Sequence, residues 1–218
     1  MAANARPLLL GHRGARASTS VPENTLASFD LCLQHGCDGF EFDVRRTEDG
    51  AAVVCHDATA RGVTLARTDV RNLAFLPTLE QVLQRYASRC FLDVELKDAG
   101  LEQQVLDLLR LYPPSQGYVV TSFLPEVLLR LRELDSAVEL GLIWDRPSEI
   151  WRDLPISWAL PEHRLLDSSS AVALKAAGQR IGTWTVNDPA DMLRLAALGA
   201  EMLISDDTAR LVNTFRVG

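Results

Sequence analysis

Short apolar runs alternate with segments of helical periodicity along most of the chain. The apolar runs that are followed by such a segment lie near residues 9, 42, 93, 120, 140, 158, 183 and 203. Eight β–α units in about 210 residues predict an α/β fold, the closed (β/α)8 TIM barrel. A doubly wound open sheet is the alternative, but no glycine-rich phosphate loop follows the first apolar run. We expect Asn24 to cap the first helix, because Asn is a preferred residue at that position.

One further apolar run, residues 51–55, does not fit the alternation. Only residues 45–50 separate it from the second strand, which is too short for a parallel crossover, so the chain must return antiparallel. Asp49-Gly50 is a typical two-residue hairpin turn. With that turn, Asp43 pairs with His56. The sequence therefore predicts an extra β-hairpin after strand two.

The composition is that of a folded globular protein. The chain has 218 residues, of which 47% are hydrophobic and 23% charged, and its formal net charge is -7. This sign argues against a polyanion-binding surface, so no nucleic-acid partner is expected. No segment has the composition of a linker, and we expect a single domain over residues 1–218.

Cysteine usage and hydropathy indicate an intracellular protein. The four cysteines show no CxxC spacing, so neither a zinc knuckle nor a disulfide framework is expected; they are Cys32, Cys37, Cys55 and Cys90. The first residues lack the apolar stretch of a signal peptide, and no run reaches the ~18 apolar residues of a membrane span. We expect a cytoplasmic protein without stable membrane insertion.

Candidate chemistry is found where the predicted strands end, since barrel enzymes place their active sites there. In chain order, the polar residues at the first two strand ends and on the returning hairpin are His12, Arg13, Glu41, Asp43 and His56. The third strand presents one of two alternating sets to the barrel interior. One set is polar, with Asp93, Glu95 and Lys97, and the other is apolar, with Leu92, Val94 and Leu96.

These residue types together favour phosphodiester cleavage. Three carboxylates at a low-dielectric barrel mouth require a cation, and oxygen ligands suit Mg²⁺ or Ca²⁺, whereas nearby histidines would favour zinc or manganese. A metal ion and a guanidinium would neutralise phosphate oxygens, and two histidines would act as base and acid. Any one of these groups alone is as typical of a structural ion pair as of a site.

Several motifs at fixed order resemble those of one enzyme family. Five lie within about 50 residues: HRG at 12–14, PENT at 22–25, EFDV at 41–44, TEDG at 47–50 and VVCHD at 53–57. Weaker ones follow: LEQVL at 79–83, ELK at 95–97, TSF at 121–123 and WTVN at 184–187. Over essentially its whole length the chain resembles the glycerophosphodiester phosphodiesterase family.

The resemblance implies a phospholipase-C-like TIM barrel that hydrolyses deacylated phospholipids to sn-glycerol 3-phosphate and an alcohol. It implies that His12 and His56 are the acid–base pair, of which we expect His56 to be the acid. It also implies that one divalent cation, Mg²⁺ or Ca²⁺ with Mn²⁺ as the third option, binds Glu41, Asp43 and Glu95. It implies further that Arg13 contacts the phosphate and that Lys97 supports this contact. Trp184 would line the glycerol side of the site. Separately from these roles, Asp57 and Asn187 are candidates to orient His56 or to bind water.

One region departs from the family pattern. After His56-Asp57 the chain lacks the Arg-Thr-Thr stretch and the longer helical insert that many members carry, so the insertion is reduced. The departure affects the expected headgroup preference rather than the chemistry. Two other functions stay open: a lysophospholipase D-type reaction on a lipid substrate, and a non-catalytic barrel that binds a phosphometabolite.

Overall fold

Strands and helices alternate along the chain in this computed structural model, which describes residues 6–216. The strands are β1 (Leu8–Gly11), β2 (Gly39–Arg46), β3 (Ala52–Val54), β4 (Thr59–Ala60), β5 (Val63–Thr64), β6 (Phe91–Leu96), β7 (Tyr118–Ser122), β8 (Leu140–Trp144), β9 (Trp158–Pro161), β10 (Arg180–Thr183) and β11 (Met202–Ser205). The α-helices are α1 (Leu26–His35), α2 (Leu79–Tyr86), α3 (Glu102–Leu111), α4 (Pro125–Leu134), α5 (Ser168–Ala176), α6 (Pro189–Leu198) and α7 (Thr208–Phe215).

Eight of these strands form a closed parallel barrel. Their order around the ring is β1, β2, β6, β7, β8, β9, β10 and β11, and β11 pairs with β1 again. An α-helix follows each strand except β8, which leads into the short 3-10 helix Ile150–Asp153. The predicted TIM barrel is therefore confirmed. No helix within the described residues is long and apolar enough to cross a membrane.

The predicted hairpin after the second barrel strand is present, but its register differs by one residue. Strand β3 runs antiparallel to β2 and pairs Val44 with Val54. The turn contains residues 48–50, because the Thr47 N–H bonds to the Ala51 carbonyl and Gly50 takes a left-handed φ of 83°. A three-residue loop that ends in a left-handed glycine absorbs one extra residue. Asp43 consequently lies opposite Cys55, and the predicted pairing with His56 is wrong.

The insertion that follows the hairpin is short. It consists of the two-stranded ribbon β4–β5 and two 3-10 turns, Leu65–Arg67 and Val70–Asn72. Its apolar side chains pack on Val53 in a small cluster of their own.

Two hydrophobic layers hold the barrel together. The interior layer comes from strand residues alone: Leu10, Phe91, Val119, Ile143, Trp158, Leu160, Met202 and Ile204. Gly39 makes room for this layer, since a Cβ there would lie 1.8 Å from the Phe91 carbonyl oxygen. The outer layer packs strands against helices and includes the stacked rings of Phe29 and Phe40. Residues Leu92, Val94 and Leu96 belong to the outer layer, so the polar set of β6 faces the interior.

The start of α1 differs from the sequence-based expectation. Thr25, not Asn24, caps this helix, and its side chain accepts a hydrogen bond from the Ser28 N–H. Asn24 instead has a left-handed φ of 55° and lies almost fully buried. Its side chain turns inward to the strand ends, where the polar residues gather.

Candidate active site

His12 leaves the end of β1 with its ring held on one side. Its Nδ1 lies 2.7 Å from Asp206 Oδ1, and Asn187 Nδ2 donates to the other oxygen of Asp206. An ionised carboxylate only accepts, so the His12 proton resides on Nδ1 and Nε2 is left as an acceptor. Nε2 lies 4.0 Å from Glu41 Oε2. Burial lowers the pKa of His12, although the bond to Asp206 acts in the opposite direction.

Asp206 is stabilised in its ionised form. Burial alone would raise its pKa, but the hydrogen bonds from His12 and Asn187 outweigh burial and hold the pKa well below its usual range. Arg16 adds a further bond of 3.0 Å to Oδ1. The charge that fixes the His12 tautomer is thus present across the whole neutral pH range.

Arg13 connects the first strand to the carboxylates of the second. Its backbone N–H donates to Glu41 Oε2 at 2.9 Å, a position that its left-handed φ of 52° permits. Its guanidinium bonds to Glu23 through Nη1, and Nε lies 3.3 Å from Asp43 Oδ2. Nε has no hydrogen-bond partner within residues 6–216. Arg13 also lines the cavity at the strand ends, so its positive charge lies near any anion bound there.

Three buried carboxylates, those of Glu41, Asp43 and Glu95, form the centre of the site. Each offers one oxygen, and these oxygens all lie within 4.8 Å of one another. Glu41 and Asp43 alternate on β2, and Glu95 lies directly across from Asp43 on β6. Lys97 Nζ lies 3.2 Å from Asp43 Oδ1 and 2.5 Å from Glu95 Oε1. Parallel register and alternation thus bring together residues that are up to 54 positions apart.

Asp43 is the member of the cluster that is kept charged. Burial would raise its pKa, but Lys97, Arg13 and a hydrogen bond from Asn24 Nδ2 outweigh burial and lower it. That bond is 2.7 Å long, and Asn24 Oδ1 accepts from the Asp43 N–H in return. Asn24 therefore orients Asp43 toward the other two carboxylates.

Glu41 and Glu95 have the opposite tendency. Burial and the neighbouring carboxylates raise the pKa of Glu41 well above its usual value, and burial and Asp43 raise that of Glu95 to about 7. Within residues 6–216, no Lys or Arg side chain pairs with Glu41, and its Oε1 has no hydrogen-bond partner. An all-oxygen donor set with an orphaned buried oxygen fits a hard divalent cation.

His56 reaches the site from the hairpin that follows β3. Arg45 Nε donates to the His56 carbonyl at 2.7 Å, and the same guanidinium is bound by Asp98, so the backbone is fixed from β2. The ring is one-third exposed, and its Nδ1 lies 2.7 Å from Asp57 Oδ1. His56 thus faces solvent more openly than His12.

The site residues surround one cavity of about 170 Å³ at the carboxyl ends of the strands. His12, Arg13 and His56 lie on its polar side, while Trp184 and Phe123 form an aromatic wall with ring centroids 5.5 Å apart. Trp184 is fixed by a hydrogen bond from Nε1 to the Leu160 carbonyl. A second cavity of about 550 Å³ opens between β1, β10, α6 and α7, lined by residues that include Arg6, Leu8, Arg180, Gly199 and Phe215. It contains no comparable cluster.

The structure brings all eight sequence-predicted site residues to this place. Seven of them line the cavity, and Asp43 lies just behind its surface in contact with Lys97 and Arg13. Sequence reasoning missed Asp206, Phe123 and the true contact of Asn24. Asp206 directly follows β11, so the strand-end rule that selected His12 would have found it. Asn187, a candidate from the sequence to orient His56 or bind water, donates to Asp206 on the His12 side of the site.

Comparison with solved structures shows the same fold. The chain matches a phosphodiesterase from Oleispira antarctica, in complex with the product sn-glycerol-3-phosphate, with a TM-score of 0.85, 24% identity and 96% of each chain covered. A glycerophosphodiester phosphodiesterase from Parabacteroides distasonis gives a TM-score of 0.86 at 21% identity, with 97% of each chain covered.

Sequence comparison extends the similarity to proteins of known class. A glycerophosphodiester phosphodiesterase from Caldanaerobacter subterraneus subsp. tengcongensis is 26% identical over 243 residues, which cover 98% of this chain and 99% of the relative. One from Bacillus altitudinis is 25% identical, with 94% and 96% covered. The model of one family, described as the glycerophosphoryl diester phosphodiesterase family, matches residues 12–210. The chain therefore belongs to the glycerophosphoryl diester phosphodiesterase family.

Proposed function

We propose that this chain hydrolyses glycerophosphodiesters to sn-glycerol 3-phosphate and an alcohol, with a divalent cation at the carboxylate cluster and His12 and His56 as the acid–base pair. Family membership already makes it a glycerophosphodiester phosphodiesterase.

 The finer proposal rests on one observation. His12 and His56 line the same cavity as two carboxylates of the cluster, those of Glu41 and Glu95, and as Arg13.

Glu41, Asp43 and Glu95 would hold the cation, with Mg²⁺ or Ca²⁺ as the expected ions and Mn²⁺ as the third option. When bound, a divalent ion neutralises negative charge that builds up on the phosphate oxygens. The chain's own cations serve the same end: Arg13 lines the cavity, and Lys97 lies between Asp43 and Glu95. We assign phosphate contact to Arg13 and its support to Lys97.

His12 is suited to act as the base. Asp206 keeps the His12 proton on Nδ1, and burial keeps the ring neutral, so Nε2 can take a proton from the attacking oxygen. That oxygen belongs to water, or to the 2-hydroxyl of the substrate; in the second case a cyclic phosphate forms, and water opens it to sn-glycerol 3-phosphate in a following step. As its bond to phosphorus forms, the bond from phosphorus to the leaving alcohol breaks.

His56 is suited to act as the acid. It lies on the more open side of the cavity, where a leaving alcohol would meet solvent, and Asp57 Oδ1 holds its Nδ1 at 2.7 Å. A proton from His56 Nε2 would neutralise the leaving alkoxide. Proton uptake at His12 and release at His56 balance over one turnover.

The proposal is tested by the release of sn-glycerol 3-phosphate from glycerophosphocholine, with and without EDTA. We expect EDTA to abolish release and Mg²⁺, Ca²⁺ or Mn²⁺ to restore it. His12→Ala and His56→Ala should each lower kcat by ~10²–10⁴-fold, the usual contribution of a general acid or base. A p-nitrophenyl phosphodiester, whose leaving group needs no proton, should rescue His56→Ala and not His12→Ala.

His35→Ala is the matched control, because His35 lies at the end of α1 and bonds to Thr208 rather than to the site. Lysophosphatidylcholine, assayed in parallel, distinguishes the reaction from a lysophospholipase D activity. Full activity in excess EDTA, or near wild-type kcat in both histidine variants, would contradict the proposal.

A further inference from the structure

Asp93 lies at the floor of the active-site cavity and has no part in the reaction described above. It is fully buried on β6, two residues before Glu95, and its neighbours in the cavity lining include Ile143, Leu160 and Ile204. Its Oδ1 accepts a 2.6 Å hydrogen bond from Thr121 Oγ1, which fixes the plane of the carboxyl group. Its Oδ2 has no hydrogen-bond partner within residues 6–216.

An unpartnered buried carboxyl oxygen in a cavity wall indicates a ligand contact. Buried polar side-chain atoms are hydrogen-bonded in the large majority of cases, to protein or to water, so each exception needs an explanation. No Lys, Arg or His side chain of the described residues pairs with Asp93 within 4.0 Å. Because Asp93 lines the cavity, a ligand that enters it can supply the partner of Oδ2.

The surroundings favour a neutral hydroxyl over a metal ion. The carboxylates whose oxygens lie within 4.8 Å of one another are Glu41, Asp43 and Glu95, and Asp93 is outside that group. The cavity that Asp93 lines also has three aliphatic side chains in its wall, and they suit a short carbon chain rather than a hydrated cation. A hydroxyl both donates and accepts, so it pairs with a carboxyl group in either protonation state.

We propose that Asp93 binds a hydroxyl of the substrate's glycerol group, the terminal one, and thereby selects substrates that carry it. The inference rests on the proposed function, because it assumes that a glycerophosphodiester is the substrate. Glycerol enters the cavity first, with its carbons against Ile143, Leu160 and Ile204. The phosphate then lies at the level of Arg13, and the leaving alcohol faces outward toward His56.

The test compares glycerophosphocholine with its 1-deoxy analogue (sn numbering, phosphate on O3), in which propane-1,2-diol replaces glycerol. The analogue keeps the 2-hydroxyl, so it stays reactive whether water or that hydroxyl attacks. Wild-type enzyme should prefer glycerophosphocholine by roughly 10²-fold or more in kcat/KM, because the analogue leaves a buried polar group unpaired. Asp93→Leu should lower this preference at least tenfold, as a loss on glycerophosphocholine with the rate on the analogue little changed.

Two variants keep the comparison interpretable. Asp93→Asn retains an acceptor of the same shape and should keep most of the preference, and it also replaces Asp93→Leu if the latter fails to fold. Ser122→Ala removes a buried hydroxyl from the same strand as Thr121, but that hydroxyl bonds to the Leu96 carbonyl outside the cavity, so the preference should not change.

The outcomes separate this inference from the proposed function. If wild-type enzyme releases no sn-glycerol 3-phosphate, the proposed function fails. Calorimetry of sn-glycerol 3-phosphate binding then tests whether Asp93 contacts the terminal hydroxyl. Tighter binding of that compound than of its 1-deoxy analogue, lost in Asp93→Leu, supports the inference. Equal use of both substrates by wild-type enzyme, or an unchanged preference in Asp93→Leu, overturns it while leaving the proposed function intact.

Discussion

Asp206 holds His12 in the one tautomer that leaves Nε2 able to accept a proton. The pair joins two strand ends that are neighbours in the barrel although they are 194 positions apart in the chain. Sequence reasoning selected His12 because a histidine at a strand end is conspicuous. It passed over Asp206 because Ser-Asp-Asp before a helix is equally typical of an N-cap, and Asp207 does cap α7.

Asp206→Asn tests this positioning role. An amide can bond to either His12 tautomer, so we expect kcat to fall about 10²-fold or more while KM and metal affinity change little. The carboxylate raises the pKa of His12, so its loss should also shift the acid limb of the pH–rate profile to lower pH. Asp207→Asn, which keeps a good helix cap, is the control. An unchanged kcat and pH profile would show that Asp206 is only structural.

The loop between β1 and α1 combines a helix cap with a site contact. Asn and Thr are both good N-cap residues, and they stand side by side at 24 and 25. The choice between them depends on the bond from Asn24 to Asp43, 19 positions away, which local sequence does not contain. The hairpin after β2 has the same limitation, since Asp49-Gly50 fits both a two-residue and a three-residue loop.

Replacing these two neighbours should separate helix stability from site geometry. Thr25→Ala removes the cap and should cost about 1 kcal/mol of unfolding free energy with no change in metal affinity. Asn24→Gly accepts the left-handed backbone but removes the hydrogen bond to Asp43, so metal affinity should fall. Chemical denaturation and metal titration calorimetry measure the two effects. Equal metal affinity in both variants would argue against the orienting role of Asn24.

For the molecule as a whole, burial of four carboxylates on two adjacent strands couples stability to pH. Glu41, Asp93 and Glu95 have raised pKa values, Asp93 to about 8 and Glu95 to about 7, chiefly because of burial. The folded protein therefore binds more protons than the unfolded chain between about pH 4.5 and these values, and stability falls as pH rises through that window. Asp43 and Asp206, with lowered pKa values, lose their stabilising contribution only in acid.

A divalent cation should reverse this trend, because it binds the ionised carboxylates. We expect its affinity to rise from about pH 5.5 to about pH 8, roughly tenfold per pH unit for each proton released. The rise in Tm on adding Mg²⁺ should grow in the same direction. Calorimetry in buffers of different ionisation enthalpy counts the protons. An affinity that is flat over this range would mean that the ion binds away from these groups.

Periodicity was sufficient to predict the ring of eight strands, because each β–α unit is encoded locally. The closure of that ring, in contrast, is not encoded in any local stretch of sequence. The inward face of β6 is fixed only when the ring closes, with β1 paired to both β2 and β11. This closure places Asp93, Glu95 and Lys97 in the cavity lining instead of under α3.

The junction of β1 with β11 also sets an order of events during synthesis of the protein. A ribosome that adds about 5–20 residues per second makes His12 first and Asp206 roughly 10–40 seconds later. Until then the nascent chain carries its carboxylates and both histidines, but His12 lacks the partner that fixes its proton. We therefore expect catalytic competence to arise only after β11 has been made, and a chain that stops before β11 to be inactive rather than partly active.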